Sequence, residues 1–158
     1  MLHAKKPSIW KNHYEISVDG RQVTSWDPSW WKSGGTFRLA GRLYEVSGNV
    51  WGTKYTMATE GGTVVASADR VGRKRWTVTA DGKTYEFRRA SMFRYEEELH
   101  VDGRRIGSVK RPSMWSSDTV VDLPGLPVQT QIFVLGVVLT KWASAAAAST
   151  ASHSSFTG

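Results

Sequence analysis

Short stretches in which hydrophobic and polar residues alternate, separated by glycine-containing turns, run through the first 110 residues of the chain. Tyr14, Ile16 and Val18 alternate with polar neighbours, and Tyr85 and Phe87 do the same further along. A period of two residues is typical of an antiparallel strand with one buried face. The pattern therefore predicts a series of half-buried strands.

Turn signals divide these stretches into pairs. Asp-Gly occurs at 19–20, 81–82 and 102–103, and Ala40-Gly41 and Gly61-Gly62 occupy similar positions. Asp-Gly is a strong hairpin signal because a type I′ turn needs a positive φ at both central residues. We predict five hairpins, with strands 14–18 and 21–25, 36–39 and 42–47, 54–59 and 63–69, 75–80 and 83–88, and 95–101 and 104–110. The pattern also predicts an eleventh strand within 115–123.

The chain changes character after Leu123. A breaker segment, 123–127, is followed by eight consecutive apolar or glycine residues at 132–139. Three interpretations are open: a transmembrane span, a fully buried strand, or a central helix enclosed by the sheet. A span needs about 20 apolar residues, and a helix that is apolar on every face must be buried on every side or lie in a membrane. We favour a central helix over 128–142. The Ala/Ser-rich segment 143–158 is predicted to be a disordered tail, except that its alanines prolong the helix by a turn or two.

Hairpin strands followed by one apolar C-terminal helix resemble the tubby C-terminal-like superfamily, which includes the LURP-one-related proteins and the phospholipid scramblases. The residues that carry the likeness are 43–46, 51–55, 65–67, 76–78, 85–88, 105–109 and 128–142. The chain is most similar to the small bacterial and LURP-one-related members. The resemblance covers roughly residues 9–142 and implies an all-β fold, a closed or nearly closed antiparallel barrel of about ten to twelve strands around the helix.

The same resemblance implies a tendency to bind anionic lipid. It does not extend to calcium-driven scrambling, because the acidic run that scramblases carry before the helix is reduced here to Asp118 and Asp122.

Composition limits the chemistry. The chain has 158 residues, about one domain, here 1–142 with its tail, and it has no cysteine. The lack of cysteine excludes disulfides, thiolate metal sites and cysteine nucleophiles. No two histidines have the spacing of a helical zinc site, and no phosphate loop or serine nucleophile elbow is present. We interpret 96–98 as a solvated strand start whose three glutamates point to alternate faces, and His13 and His100 as strand-surface residues. We expect no enzymatic activity, metal or cofactor.

Charge is concentrated in the middle of the chain. The net charge is +7, and residues 70–111 contain twelve Lys or Arg and six Asp or Glu, an excess of +6. A basic surface attracts anionic partners, and the planar arginine fork suits phosphate oxygens. If the hairpins are neighbours, seven residues, called here the basic rim, approach one another: Arg73, Lys74, Arg75, Arg88, Arg89, Lys110 and Arg111. The alternative is a solvated face that protects strand edges by its charge.

The tryptophans give a second signal. Trp10, Trp26, Trp30 and Trp31 crowd the first third of the chain. Such residues can lie at a lipid interface or stack on nucleic-acid bases, but we favour residues 26–31 as a plug over one barrel end. Trp51, Trp76 and Trp142 are predicted core residues.

These observations favour a non-catalytic module whose basic rim engages an anionic membrane surface or a phosphorylated ligand. We expect a cytoplasmic protein, peripheral at the membrane, because residues 1–7 lack the apolar run of a secretory signal. One alternative is a protein-interaction scaffold that uses the Trp-rich N-terminal region. Another is a nucleic-acid binder, for which charge and aromatic residues are weak support without a known module.

Overall fold

Twelve antiparallel strands and one helix make up the part of the chain that the computed structural model describes, residues 1–8, 10–29, 33–90, 95–112 and 118–155. The elements are β1 Leu2–Lys5, β2 Tyr14–Val18, β3 Arg21–Pro28, β4 Gly34–Leu39, β5 Arg42–Gly48, β6 Tyr55–Thr59, β7 Val64–Asp69, β8 Arg75–Ala80, β9 Lys83–Arg89, β10 Glu96–Val101, β11 Arg104–Lys110, β12 Thr119–Asp122 and α1 Val128–Ser155.

The strands form a closed barrel in which each strand pairs with its neighbours in sequence. Strand β1 closes the barrel between the second and the last strand. Leu2 lies opposite Val18 of β2 on one side and opposite Val121 of β12 on the other. Closure leaves no unpaired edge, and the predicted all-β barrel around an apolar helix is confirmed.

Helix α1 fills the barrel. Its residues from Ile132 to Leu139 are buried, and Phe133 has no exposed surface. At Gly136 the helix meets the indole ring of Trp26, since a Cβ there would lie 2.5 Å from the ring. By length and composition, residues 128–148 could cross a membrane: an 18-residue part of this stretch has a mean hydropathy of 1.5. Half of that part, however, is buried inside the barrel. The interpretation of 132–139 as part of a central helix is therefore confirmed, and the alternative interpretation as a buried strand is wrong.

The ten hairpin strands lie where the sequence predicts them; three have the predicted bounds, and the other seven differ by one to three residues. Two points differ from the prediction, the first strand and the length of the helix, whereas the strand predicted within 115–123 is confirmed. The first strand, Leu2–Lys5, was not predicted. The predicted strand within 115–123 is observed as Thr119–Asp122, and residues 113–117 lie outside the described part of the chain. The helix continues to Ser155, so residues 143–155 are helical and not a disordered tail.

The barrel has two different ends. At the turn end lie the hairpin turns 19–20, 40–41, 60–63, 81–82 and 102–103 and the 123–127 connection that leads into α1. Asp19, Ala40, Asp81 and Asp102 each have φ near +50°, and the glycine that follows each has a positive φ. Four type I′ turns are thus confirmed. The 60–63 turn differs, because Gly62 but not Gly61 has a positive φ.

At the opposite, loop end lie the described parts of the longer connections, which span 6–13, 29–33, 49–54, 70–74, 90–95 and 111–118. Helix α1 leaves the barrel here, since Thr140, Ala143 and Ala147 line a pocket together with Tyr14 and Gly34. Each end is taken below to include the two strand residues that adjoin each turn or connection.

Candidate anion-binding surface at the loop end

All seven residues of the basic rim lie at the loop end. Arg73 and Lys74 are in the 70–74 connection, Arg75 begins β8, Arg88 and Arg89 end β9, Lys110 ends β11 and Arg111 follows it. The strand register brings them together across the sheet. Arg75 lies opposite Arg88, Arg89 opposite Glu97, and Lys110 opposite Glu96. Residues from two neighbouring hairpins, β8–β9 and β10–β11, and from the connections beside them thus form one sector.

Backbone hydrogen bonds hold the 70–74 connection. The amide of Arg73 donates to the carbonyl of Arg70 over 3.1 Å, and the amide of Arg89 donates to the carbonyl of Lys74 over 2.9 Å. Val71 is buried beneath them, and Arg70 and Gly72 have positive φ values of 60° and 91°. The connection is therefore anchored at its centre and at its end while the Arg73 and Lys74 side chains are exposed.

Exposure divides the basic rim into two groups. Arg73, Lys74, Arg75 and Lys110 are exposed, whereas the other three residues are half-buried. Within the described part of the chain no ion pair involves any of these four. Arg75 also faces Arg88, and like charges directly opposite on neighbouring strands are destabilising. The four exposed cations are therefore the members that can reach a ligand.

The half-buried arginines have structural contacts. Arg88 Nε donates to Glu86 Oε1 over 3.1 Å. The guanidinium of Arg111 lies 5.1 Å from the ring centres of both Tyr95 and Trp142. These cation–π contacts tie helix α1 to the 90–95 connection, so Arg111 packs the loop end and is the rim residue least free to bind a ligand.

Glu97 is a buried carboxylate that the sequence interpretation missed. It points into the barrel, and its Oε2 accepts a hydrogen bond from Trp76 Nε1 over 3.1 Å. Burial raises the pKa of Glu97 to about 7. The hydrogen bond from Trp76 and the positive charges of Arg89 and Lys141 act in the opposite direction and lower the pKa, but burial has the larger effect. A buried carboxylate beside the rim follows from strand parity, since position 97 shares a face with Leu99.

The other two glutamates lie on the outer face. Arg105 Nε is 2.8 Å from Glu98 Oε2, and its terminal nitrogen is 3.4 Å from Glu96 Oε1. The predicted alternation of faces is confirmed. The predicted solvation is wrong for Glu96 and Glu97, which are both buried.

The two ends differ in charge. Among the described residues, the loop end carries twelve basic residues, Lys5, Lys6, Lys11, Lys54, Arg70 and the basic rim, against Glu15, Asp27, Asp69, Glu96, Glu97 and Asp118. The turn end carries Arg21, Arg38, Arg42, Lys83, Arg104 and Arg105 against Asp19, Glu60, Asp81, Asp102 and Asp122. The excess is therefore +6 at the loop end and +1 at the turn end.

The tryptophan predictions had mixed outcomes. Trp76 and Trp142 are buried as predicted, but Trp51 is 82% exposed, so its assignment to the core is wrong. Trp26 is fully buried against the helix and belongs to the core rather than to a surface plug. Trp10 is 89% exposed. Trp30 and Trp31 lie outside the described residues.

The histidines form no metal site within the described part of the chain, where no three His, Asp or Glu side chains are grouped to hold an ion. His100 is half-buried on β10 with its Nε2 3.2 Å from Glu98 Oε1. His13 lies in the 6–13 connection and not on a strand, which corrects its predicted position.

Comparisons with protein-family models, with curated proteins and with solved structures find no match for this chain. The likeness to the tubby C-terminal-like superfamily therefore stays a prediction.

Proposed function

We propose that this protein is a non-catalytic binding module whose loop end engages phosphate-bearing anionic ligands, either the headgroups of acidic lipids or a phosphorylated molecule. The excess of +6 at the loop end, against +1 at the turn end, is the observation that carries the proposal. A one-sided basic surface raises the local concentration of anions, and exposed arginines bind phosphate oxygens with paired hydrogen bonds.

The proposal includes membership of the tubby-like superfamily and a cytoplasmic location at the membrane surface. In its support, a closed barrel around an apolar C-terminal helix is the architecture that the resemblance implies. A filled barrel also leaves little room for a substrate pocket in its interior.

The alternative scaffold that uses the Trp-rich N-terminal region has less support. Trp26 is inside the core, and strands β1, β2 and β3 supply part of the barrel wall. Removal of residues 1–31 would therefore open the barrel instead of freeing a separate segment. Nucleic acid carries the same phosphate chemistry, and its binding would weaken steeply with salt.

Two triple variants with the same change in net charge test the proposal. The loop-end variant replaces Arg73, Lys74 and Arg75 with glutamate. The turn-end variant makes the same replacement at three exposed turn-end residues, Arg42, Lys83 and Arg104. Binding is measured to phosphatidylcholine vesicles with and without phosphatidylserine, and to inositol hexakisphosphate by calorimetry. Circular dichroism confirms that both variants fold.

We expect the wild type and the turn-end variant to bind acidic vesicles or inositol hexakisphosphate, and the wild type to leave neutral vesicles unbound. The loop-end variant should lose about a hundredfold or more, because each cation near an acidic surface contributes about 1 kcal/mol. Equal losses in both variants, or no binding of either probe by the wild type, would contradict the proposal.

A further inference from the structure

Two adjacent apolar side chains of one connection are displayed to solvent at the loop end, where Trp10 is also exposed. Val50 is 94% exposed and Trp51 is 82% exposed, and both lie in the 49–54 connection. Single exposed apolar residues are ordinary. Adjacent, nearly fully exposed Val and Trp side chains on one connection are unusual, because tryptophan is normally among the most buried contributors to a core.

Hydrogen bonds fix the connection that carries this pair. Asn49 Oδ1 accepts from the amides of Thr53 over 2.8 Å and Lys54 over 3.2 Å, and Asn49 Nδ2 donates to Thr53 Oγ1 over 2.9 Å. The amide of Asn49 donates to the carbonyl of Lys54 over 2.9 Å, and the amide of Gly52 donates to the carbonyl of Asn49 over 3.1 Å. The apolar pair is therefore presented on a preorganised tip, and a partner need not order the loop on binding.

The tip adjoins the exposed cations. The amide of Val71 donates to the carbonyl of Thr53 over 3.0 Å, which fastens the 49–54 connection to the 70–74 connection. Arg70, Arg73 and Lys74, all exposed, extend from that second connection. Helix α1 also leaves the barrel at this end, and its segment 143–155 contains no Asp, Glu, Lys or Arg. Residues 143–148 are exposed alanines and one serine, so that stretch has no charged side chain to desolvate at a lipid surface.

We propose that Val50 and Trp51 insert into the interfacial region of an acidic bilayer while Arg70, Arg73, Lys74 and Arg75 contact its headgroups. This inference depends on the proposed function and names a bilayer, rather than a soluble phosphorylated molecule, as the partner. A soluble anion needs the cations alone. A bilayer rewards apolar and cationic side chains side by side, since tryptophan favours the boundary between headgroups and acyl chains.

The chain offers a matched control. Val64, at the start of β7 at the turn end, is also an exposed valine, at 57%. The experiment compares the double variant Val50→Ser/Trp51→Ser with Val64→Ser, and Trp10 is left unchanged in both. Partition onto vesicles that contain phosphatidylserine is measured by co-sedimentation, and binding of inositol hexakisphosphate is measured in parallel. Quenching of protein fluorescence by brominated acyl chains is compared between the wild type and Trp51→Phe.

We expect the double variant to partition about tenfold more weakly, because most of the apolar area of two side chains is no longer buried. Its affinity for inositol hexakisphosphate should equal that of the wild type. Val64→Ser should match the wild type in both assays. Brominated lipid should quench the wild type more strongly than Trp51→Phe.

Several results would overturn the inference. If the double variant partitions like the wild type and quenching is the same without Trp51, the tip stays in water, and the proposed function stands on the charge-reversal result. If the wild type binds inositol hexakisphosphate but no vesicle, the inference fails and the proposed function survives for a soluble ligand. If it binds neither, both fail. If sedimentation shows that the double variant breaks a dimer without changing partition, the tip contacts a second copy of this chain.

Discussion

The turn end of the barrel repeats one type of turn, whereas the described connections at the loop end are each held by different contacts. Four of the five turns have the same positive-φ pair, and the basic and acidic residues nearly balance there. At the loop end, Asn49 caps one connection, Val71 anchors another, and Arg111 is held between two aromatic rings. The turn end closes the hairpins, whereas the loop end carries the excess of basic residues and exposes Trp51. Function is therefore to be sought where the chain departs from its own repeat.

The largest contrast between the ends should come from two glycines. Gly34, where β4 begins at the loop end, has φ +116°, and a Cβ there would fall on the carbonyl oxygen of Val46. Gly41 at the turn end has φ +77° with open space around it. Gly34→Ala should lower the free energy of unfolding by about 3 kcal/mol or more, and Gly41→Ala by about 1 kcal/mol. Denaturant unfolding measures both, and equal losses would contradict the packing described at β4.

The next largest effect concerns Glu97 and pH. An unfolded glutamate loses its proton near pH 4.5, whereas folded Glu97 keeps its proton until about pH 7. The folded state therefore binds more protons in that window, and the free energy of unfolding falls as the pH rises through it. The loss contributed by this group amounts to about 3 kcal/mol.

Glu97→Gln should remove that loss while keeping an acceptor for Trp76, so its stability relative to the wild type should rise between pH 4.5 and pH 7. Unfolding midpoints are compared at several pH values. Glu60→Gln, an exposed turn-end control, should keep the wild-type slope. The account of Glu97 is wrong if its variant also follows that slope.

A smaller effect is expected from the cap of the 49–54 connection. Asn49→Ala removes three side-chain hydrogen bonds, two of them to backbone amides, and should cost about 1–2 kcal/mol. Asn49→Asp keeps the acceptor and should cost less. Thermal unfolding of the pair checks the order, and a larger loss for Asn49→Asp would show that the cap acts otherwise.

The smallest effect is a gain at the turn end. Ala40 has φ +50° where three sister turns have aspartate. Ala40→Asn should raise the free energy of unfolding by about 0.5–1 kcal/mol, because asparagine tolerates the left-handed region better than alanine. No gain in a denaturant titration would show that the 40–41 turn is not strained.

The hairpins could be predicted because their causes are local. An Asp-Gly pair favours a type I′ turn wherever it occurs between two strands. Alternation of apolar and polar residues identifies the buried face of strands such as β9. The unbroken apolar run at 132–139 likewise predicted a wholly buried helix. The strand β1 carries no such signal, since four residues without a flanking turn pair only with distant partners.

The site was harder to predict because its causes lie in tertiary structure. The seven rim residues could be named from their place at hairpin ends, but their different exposure depends on register and on the helix. Arg111 is half-buried because Trp142 lies beneath it. Trp51 was assigned to the core because a sequence does not show that a connection holds its tip away from the barrel. Glu97 was hidden in a run of three glutamates whose depth depends on β9 and β11.

The most direct test of the account asks which end binds. Backbone amide resonances of the full chain are followed by NMR during titration with inositol hexakisphosphate. We predict that shifts concentrate in residues 70–75, 88–90 and 110–112 at the loop end and spare the turns at 19–20, 81–82 and 102–103, as expected if the loop end binds it. Shifts centred on those turns, or spread equally over both ends, would contradict the account.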